Sequence, residues 1–186
     1  MKLLICDNFF ESVDELRKMA LSLNYTTHEE MDRETKSIGW KGSRSKKLMS
    51  YDKVFLYMCE QKIMKAVKEY FNDKKLYMNS YFHLTFDHTK NCIPNFGFEK
   101  YHKDSVLYAG VVYLTPDAPK EAGTSILNGN ENKIFNAENI YNRLICYPGN
   151  YIHAVSDTFG DTKENARLTL SFFIDKKPLL DIGNPR

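Results

Sequence analysis

Residues 166–174 read Ala166-Arg167-Leu168-Thr169-Leu170-Ser171-Phe172-Phe173-Ile174, and their alternation decides the fold. Successive side chains of a strand point to opposite faces, so Arg167, Thr169 and Ser171 share one face while Leu168, Leu170 and Phe172 share the other. Burying each of those three apolar side chains is worth roughly 1.5 to 3 kcal/mol, and a slip of one residue would turn them all to the wrong side. Register is therefore well determined, and the polar lane is forced away from the core, where a pocket is expected. Residues 77–86 repeat the pattern, with Asn79, Tyr81, His83 and Thr85 in one lane and Met78, Phe82, Leu84 and Phe86 in the other.

Outward from these two segments, 107–115 reads as a strand stopped by Pro116, and 117–123 as a loop. Further strands are expected at 124–127, 133–136, 143–147 and 151–155, with an Asn/Gly-rich turn at 128–132. The N-terminal half is helical in period. Residues 12–23 carry Val13, Leu16, Ala20 and Leu23 at helical spacing, with Ser12 and Glu15 as a capping box. A second helix is expected between 52 and 71, with Phe55, Cys59, Ile63, Val67 and Tyr70 on one stripe. Gly39-Trp40-Lys41-Gly42-Ser43-Arg44, followed by Lys46 and Lys47, reads as a basic loop, in the simplest view a solvated connector. Helices followed by many short strands indicate an α+β chain whose strands form a sandwich or jelly roll. At 186 residues one domain is expected, with helical support over 1–75, a jelly-roll core over 76–176 and a tail over 177–186.

With 26 basic against 24 acidic side chains, the net charge of +2 calls for neither a nucleic acid nor a membrane surface as partner. Cys6, Cys59, Cys92 and Cys146 show no CxxC spacing, so reduced thiols and a cytoplasmic location are expected. The apolar start is too short for a signal peptide, and no run of 18 apolar residues exists for a span. The Asn24-Tyr25-Thr26 sequon is then incidental. Serine-hydrolase and P-loop motifs are absent.

Chemistry concentrates in His102-Lys103-Asp104, answered far along the chain by His153 and then Arg167. Side chains at i and i+2 of a strand lie on one side, roughly 7 Å apart, so an imidazole and a carboxylate can bite one cation. A second imidazole completes the two-histidine, one-carboxylate set that leaves open positions on ferrous iron. Arg167 offers a fixed fork for a carboxylate-bearing co-substrate. Blander readings stand beside these: a surface His102–Asp104 pair, a satisfied core His153, an Arg167 in a structural ion pair, and a Tyr113 that only packs. A rival ligand set of His83, Asp87 and His88 has a spacing that suits a helix, in a stretch that alternates.

The order of these motifs, together with Asp7-Asn8-Phe9-Phe10 opening into a helix, Tyr101 ahead of the HxD, Val112-Tyr113-Leu114-Thr115, Gly123-Thr124 and the Pro148-Gly149-Asn150 turn before His153, resembles the 2-oxoglutarate- and Fe(II)-dependent oxygenases. The prolyl 4-hydroxylase-like branch is the most similar. The resemblance implies a distorted double-stranded β-helix with N-terminal helices packed on the major sheet. It implies His102, Asp104 and His153 as iron ligands, Arg167 on the distal carboxylate of 2-oxoglutarate, Tyr113 on the same carboxylate, and Thr169 or Ser171 as a further hydroxyl contact. Fe(II), 2-oxoglutarate and O2 are the implied cofactors, with ascorbate as an accessory reductant.

By the same resemblance the activity is hydroxylation of an unactivated C–H, in a prolyl or other amino-acid residue of a peptide or protein or in a small molecule. Asp104 in the carboxylate position favours hydroxylation over halogenation. Nucleic-acid demethylases of the superfamily carry a second arginine six residues after the first; here that position is Phe173. The basic segment from Lys41 to Lys47 can still contact an acidic substrate. The alternative class is a noncatalytic jelly-roll module that binds a metal or ligand.

Overall fold

The structure, a computed structural model, describes residues 1–27, 30, 42–87, 101–128 and 133–179. Gly39, Trp40 and Lys41, the turn residues 129–132 and the last seven residues of the expected tail lie outside the described residues. Among the described residues, ten strands and two α-helices follow one another as β1 (Leu4–Cys6), α1 (Val13–Ser22), β2 (Thr26–Thr27), β3 (Ser43–Arg44), α2 (Val54–Phe71), β4 (Tyr77–Thr85), β5 (Tyr108–Tyr113), β6 (Thr124–Asn128), β7 (Lys133–Ala137), β8 (Leu144–Pro148), β9 (Ile152–Val155) and β10 (Arg167–Asp175). They form a seven-stranded sheet of order β1-β8-β5-β10-β4-β3-β2 and a three-stranded sheet of order β7-β6-β9. This is the expected α+β architecture, a distorted double-stranded β-helix with helices against the major sheet.

β10 lies at the centre of the large sheet, antiparallel to β4 on one side and β5 on the other. Its apolar lane, Leu168, Leu170, Phe172 and Ile174, is fully buried together with Phe82 and Leu84 of β4 and Val112 of β5. Against that lane pack Leu16 and Ala20 of α1 and Leu56, Ile63 and Val67 of α2. Tyr113, Ile126, Ala137, Ile145 and Tyr147 form a second cluster. These side chains come from both sheets, so this cluster fills the space between them. The N-terminal segment is tied down by the side chain of Asn142, which accepts from the Phe10 N–H and donates to the Phe10 carbonyl, both at 2.8 Å.

The structure alters three expectations. Ser12 precedes α1, but its ψ of 46° is not the extended backbone of a capping serine, and its side chain makes no cap hydrogen bond. The buried stripe of α2 runs through Leu56, Cys59, Ile63, Met64, Val67 and Phe71. It is rotated from Phe55 and Tyr70: the Tyr70 ring stays at the rim, 41% exposed, with its hydroxyl donating to the Leu3 carbonyl. The basic loop is not simply a solvated connector. Ser43 and Arg44 pair with Leu84 and His83 as a short strand, and Ser45 and Lys47 are buried.

Among the described residues no helix is long and apolar enough to cross a membrane.

α2 also turns Glu60 toward the sheet, where Ser80 Oγ donates to its carboxylate at 2.5 Å and burial raises its pKa. A carboxyl group whose pKa is higher folded than unfolded stabilises the fold below the unfolded value, and that contribution fades as pH rises through the folded one. Glu60→Gln keeps an acceptor for Ser80 and removes the titration. Thermal unfolding from about pH 4 to 8 is expected to show this variant gaining on the parent as pH rises; parallel curves would contradict the assignment.

Candidate metal centre

The site begins at the Pro148-Gly149-Asn150-Tyr151 turn, which carries the chain from β8 in the large sheet to β9 in the small one. The Gly149 carbonyl accepts from the Asp104 N–H at 2.9 Å, and a Cβ at Gly149 would stand 2.2 Å from the Val106 carbonyl oxygen. Only glycine lets the 104–106 backbone lie this close. Two residues earlier, His102 exchanges both backbone hydrogen bonds with His153, at 3.0 and 2.9 Å. The His102-Lys103-Asp104 segment is thus held by one isolated bridge and one further hydrogen bond, where a continuous strand was expected.

Those backbone contacts bring the three side chains together. His153 Nε2 lies 3.3 Å from Asp104 Oδ2, His102 Nε2 lies 3.7 Å from Asp104 Oδ1, and a ligand atom from each residue falls within 4.8 Å of the others. Two ligands at right angles and about 2.1 Å from an ion are roughly 3 Å apart, so small side-chain rotations close the set on one cation. His153 Nδ1 sits 3.0 Å from the Tyr151 carbonyl, which can only accept. In the neutral ring the proton therefore resides on Nδ1, and the Nε2 lone pair faces the carboxylate. A metal ion placed between these two acceptors would be coordinated by both. His153 is buried, Asp104 nearly so, and the His102 side chain, 58% exposed, marks the side open to solvent. The His102–Asp104 separation of 3.7 Å is longer than a hydrogen bond.

The polar lane of β10 lies on the side away from the helices, as its alternation requires. Arg167 is 2% exposed; its Nε donates to the Ala122 carbonyl at 3.0 Å and its Nη2 to the Gly123 carbonyl at 3.2 Å. The guanidinium lies 5.5 Å from the centre of the Tyr113 ring. Among the described residues no carboxylate pairs with it, so the structural ion pair is not found there. Burial lowers its pKa, and removing a charge from water costs several kcal/mol unless an anion compensates. The Tyr113 hydroxyl is within 2.8 Å of Thr124 Oγ1, and burial raises its pKa while Arg167 lowers it. Thr169 is fully buried, its hydroxyl 3.1 Å from that of Ser171. Tyr81 and His83 pair in register with Ser171 and Thr169 and so share the lane's face.

One residue of the site was not foreseen. The Tyr147 ring lies 4.7 Å from that of His153, tilted by 52°, and both Asp104 and Arg167 are near enough to act on its phenol. Its place in the 143–147 strand was the available signal, but β8 is buried on both faces and shows no alternation. Of the rival ligand set, His88 lies outside the described residues, and His102, Asp104 and His153 form the one candidate cluster among the described residues.

No protein-family model matches the chain, and no curated protein matches it in sequence. Solved structures do. A 2OG-Fe(II) oxygenase-family oxidoreductase from Burkholderia pseudomallei matches with a TM-score of 0.67 and 8% identity, over 99% of this chain and 89% of its own. HygX from Streptomyces hygroscopicus, solved with nickel and 2-oxoglutarate bound, matches at 0.62 and 12%, over 96% and 84%. A prolyl-4-hydroxylase from Pseudomonas putida matches at 0.58 and 12%, over 95% and 93%. At such identities the likeness is one of fold: the described residues take the distorted double-stranded β-helix of those oxygenases.

Proposed function

We propose that this chain, acting as one domain, is an Fe(II)- and 2-oxoglutarate-dependent dioxygenase that hydroxylates an unactivated C–H bond. The observation that carries the reading is the convergence of His102, Asp104 and His153 at a lane containing a buried arginine with no carboxylate partner among the described residues. The fold shared with oxygenases of this class, one of them solved with 2-oxoglutarate, supports it.

In this reading His102, Asp104 and His153 hold the iron. Bound ferrous iron supplies the activation of O2 that couples decarboxylation of 2-oxoglutarate to succinate and CO2 with insertion of one oxygen atom into the substrate C–H. The protein's own part is placement. The carbonyls of Ala122 and Gly123 fix the Arg167 fork so that its remaining N–H groups receive the distal carboxylate of 2-oxoglutarate, with the Tyr113 and Thr169 hydroxyls beside it. Tyr147 packs beside the His153 ring, within electrostatic reach of Arg167. The Tyr151 carbonyl keeps the His153 lone pair turned toward the iron. The substrate is an amino-acid residue, prolyl or other, or a small molecule. A cytoplasmic location, where ascorbate or a similar reductant keeps the iron ferrous, accords with Cys6, Cys59 and Cys146 as free thiols.

Two outcomes are expected. Titration with Mn(II) as an oxygen-insensitive stand-in should give tight binding that falls at least about 100-fold in His153→Ala and in Asp104→Ala, beyond the usual effect of losing an outer contact. Equal binding by parent and variants would remove the triad from the site. Succinate release from 2-oxoglutarate should require Fe(II), and Arg167→Met should raise the 2-oxoglutarate KM about thirtyfold or more, from about 2 kcal/mol of lost charge pairing. An unchanged KM would refute the arginine's role, and metal binding without any succinate release would favour the noncatalytic module.

A further inference from the structure

Beyond its packing on His153, Tyr147 offers the site a hydroxyl. It pairs with Ala109 of β5, and Tyr113, on the same face of β5 as Ala109, is opposite Thr169 of β10. Opposed residues on neighbouring strands project to the same face, so Tyr147 stands on the site side of the large sheet with Tyr113 and the polar lane. Its ring belongs to the cluster between the two sheets and is 4% exposed. Asp104, Tyr113 and Arg167 all act on its phenol electrostatically, which puts the hydroxyl within reach of the triad and of the buried guanidinium alike. A buried tyrosine hydroxyl ordinarily finds a hydrogen-bond partner. That of Tyr113 does, 2.8 Å from Thr124 Oγ1, whereas that of Tyr147 has none among the described residues.

We propose that Tyr147 is a co-substrate-binding residue whose hydroxyl donates a hydrogen bond to the 2-oxo acid end of 2-oxoglutarate, the end that faces the metal centre. This rests on the dioxygenase reading and adds a contact to it. The choice of end follows from the neighbours. Arg167, fixed by the Ala122 and Gly123 carbonyls, takes the distal carboxylate with Tyr113 beside it. The other end of the co-substrate then lies at the triad, where the Tyr147 ring packs on His153. A phenol is a donor, and an anionic oxygen is the acceptor that gives it its strongest hydrogen bond. Asp104 is the carboxylate nearest to hand, but the metal claims it in this reading, and its side chain holds no hydrogen bond from Tyr147 in the structure. A hydroxyl left unpaired in the unloaded site disfavours that state and is satisfied when the acid enters, so the same group contributes affinity.

The test is Tyr147→Phe, which removes one oxygen atom and keeps the ring against His153. In the full chain loaded with Mn(II), calorimetry is expected to show the variant binding 2-oxoglutarate about tenfold or more weakly, the usual effect of losing a hydrogen bond to a charged group. Its Mn(II) affinity without 2-oxoglutarate should stay within about threefold of the parent's. Its melting temperature without ligands should not fall, because the hydroxyl has no partner to lose there. In the anaerobic protein with Fe(II) and 2-oxoglutarate, the metal-to-ligand charge-transfer band should move to shorter wavelength, since a hydrogen bond to the 2-oxo acid lowers its acceptor orbital and removal of that bond raises it. Unchanged 2-oxoglutarate affinity would overturn the proposal. So would a fall in Mn(II) affinity as large as that for 2-oxoglutarate, which would give the phenol to Asp104. A weakened affinity with a band that does not move to shorter wavelength would overturn it by placing the bond at the distal carboxylate, and a destabilised unloaded variant by showing the hydroxyl already bonded. A parent protein that binds no 2-oxoglutarate or shows no band would instead strike the dioxygenase reading itself.

Discussion

The structure depends on the two-residue period of its central strand. Because β10 is paired on both sides, its side chains have only two directions available, and the lane of Leu168, Leu170, Phe172 and Ile174 claims the one that faces the helices. Everything in the other lane is then committed to the space between the sheets, however costly it is to bury. Arg167 is the extreme case: a cation held away from water by the register of its neighbours and satisfied by two backbone carbonyls. The hydrophobic effect thus places a charge where it would not go by itself, and in the proposed function that charge receives an acid.

The metal centre has a different origin. No long strand delivers His102 and Asp104; a single backbone bridge to His153 and one hydrogen bond to Gly149 do so, at the corner where the chain passes from one sheet to the other. The absence of a side chain at Gly149 allows that approach, so a turn residue with no chemistry of its own governs the spacing of His102, Asp104 and His153. A short, weakly paired segment also leaves the His102 side open to solvent.

Much of this was legible in the sequence because it is periodic. The lanes of β4 and β10 follow from alternation alone, and the order HxD, distant histidine, arginine suggested which residues would meet. What was not legible lacks a period. β3 is two residues long, too short to alternate, so the inward turn of Arg44 was hidden in a basic run. β8 is buried on both faces and reads as uniformly apolar, which concealed Tyr147. In α2, Phe55 and Leu56 are equally apolar neighbours, and only the packing against the sheet decides between them.

The most direct measurement of the central claim is the visible absorption of the anaerobic protein. A metal-to-ligand charge-transfer band is expected only when Fe(II) and 2-oxoglutarate are both present, and it should vanish in a folded His153→Ala variant. A folded parent protein that binds Fe(II) yet shows no such band with 2-oxoglutarate would contradict the account.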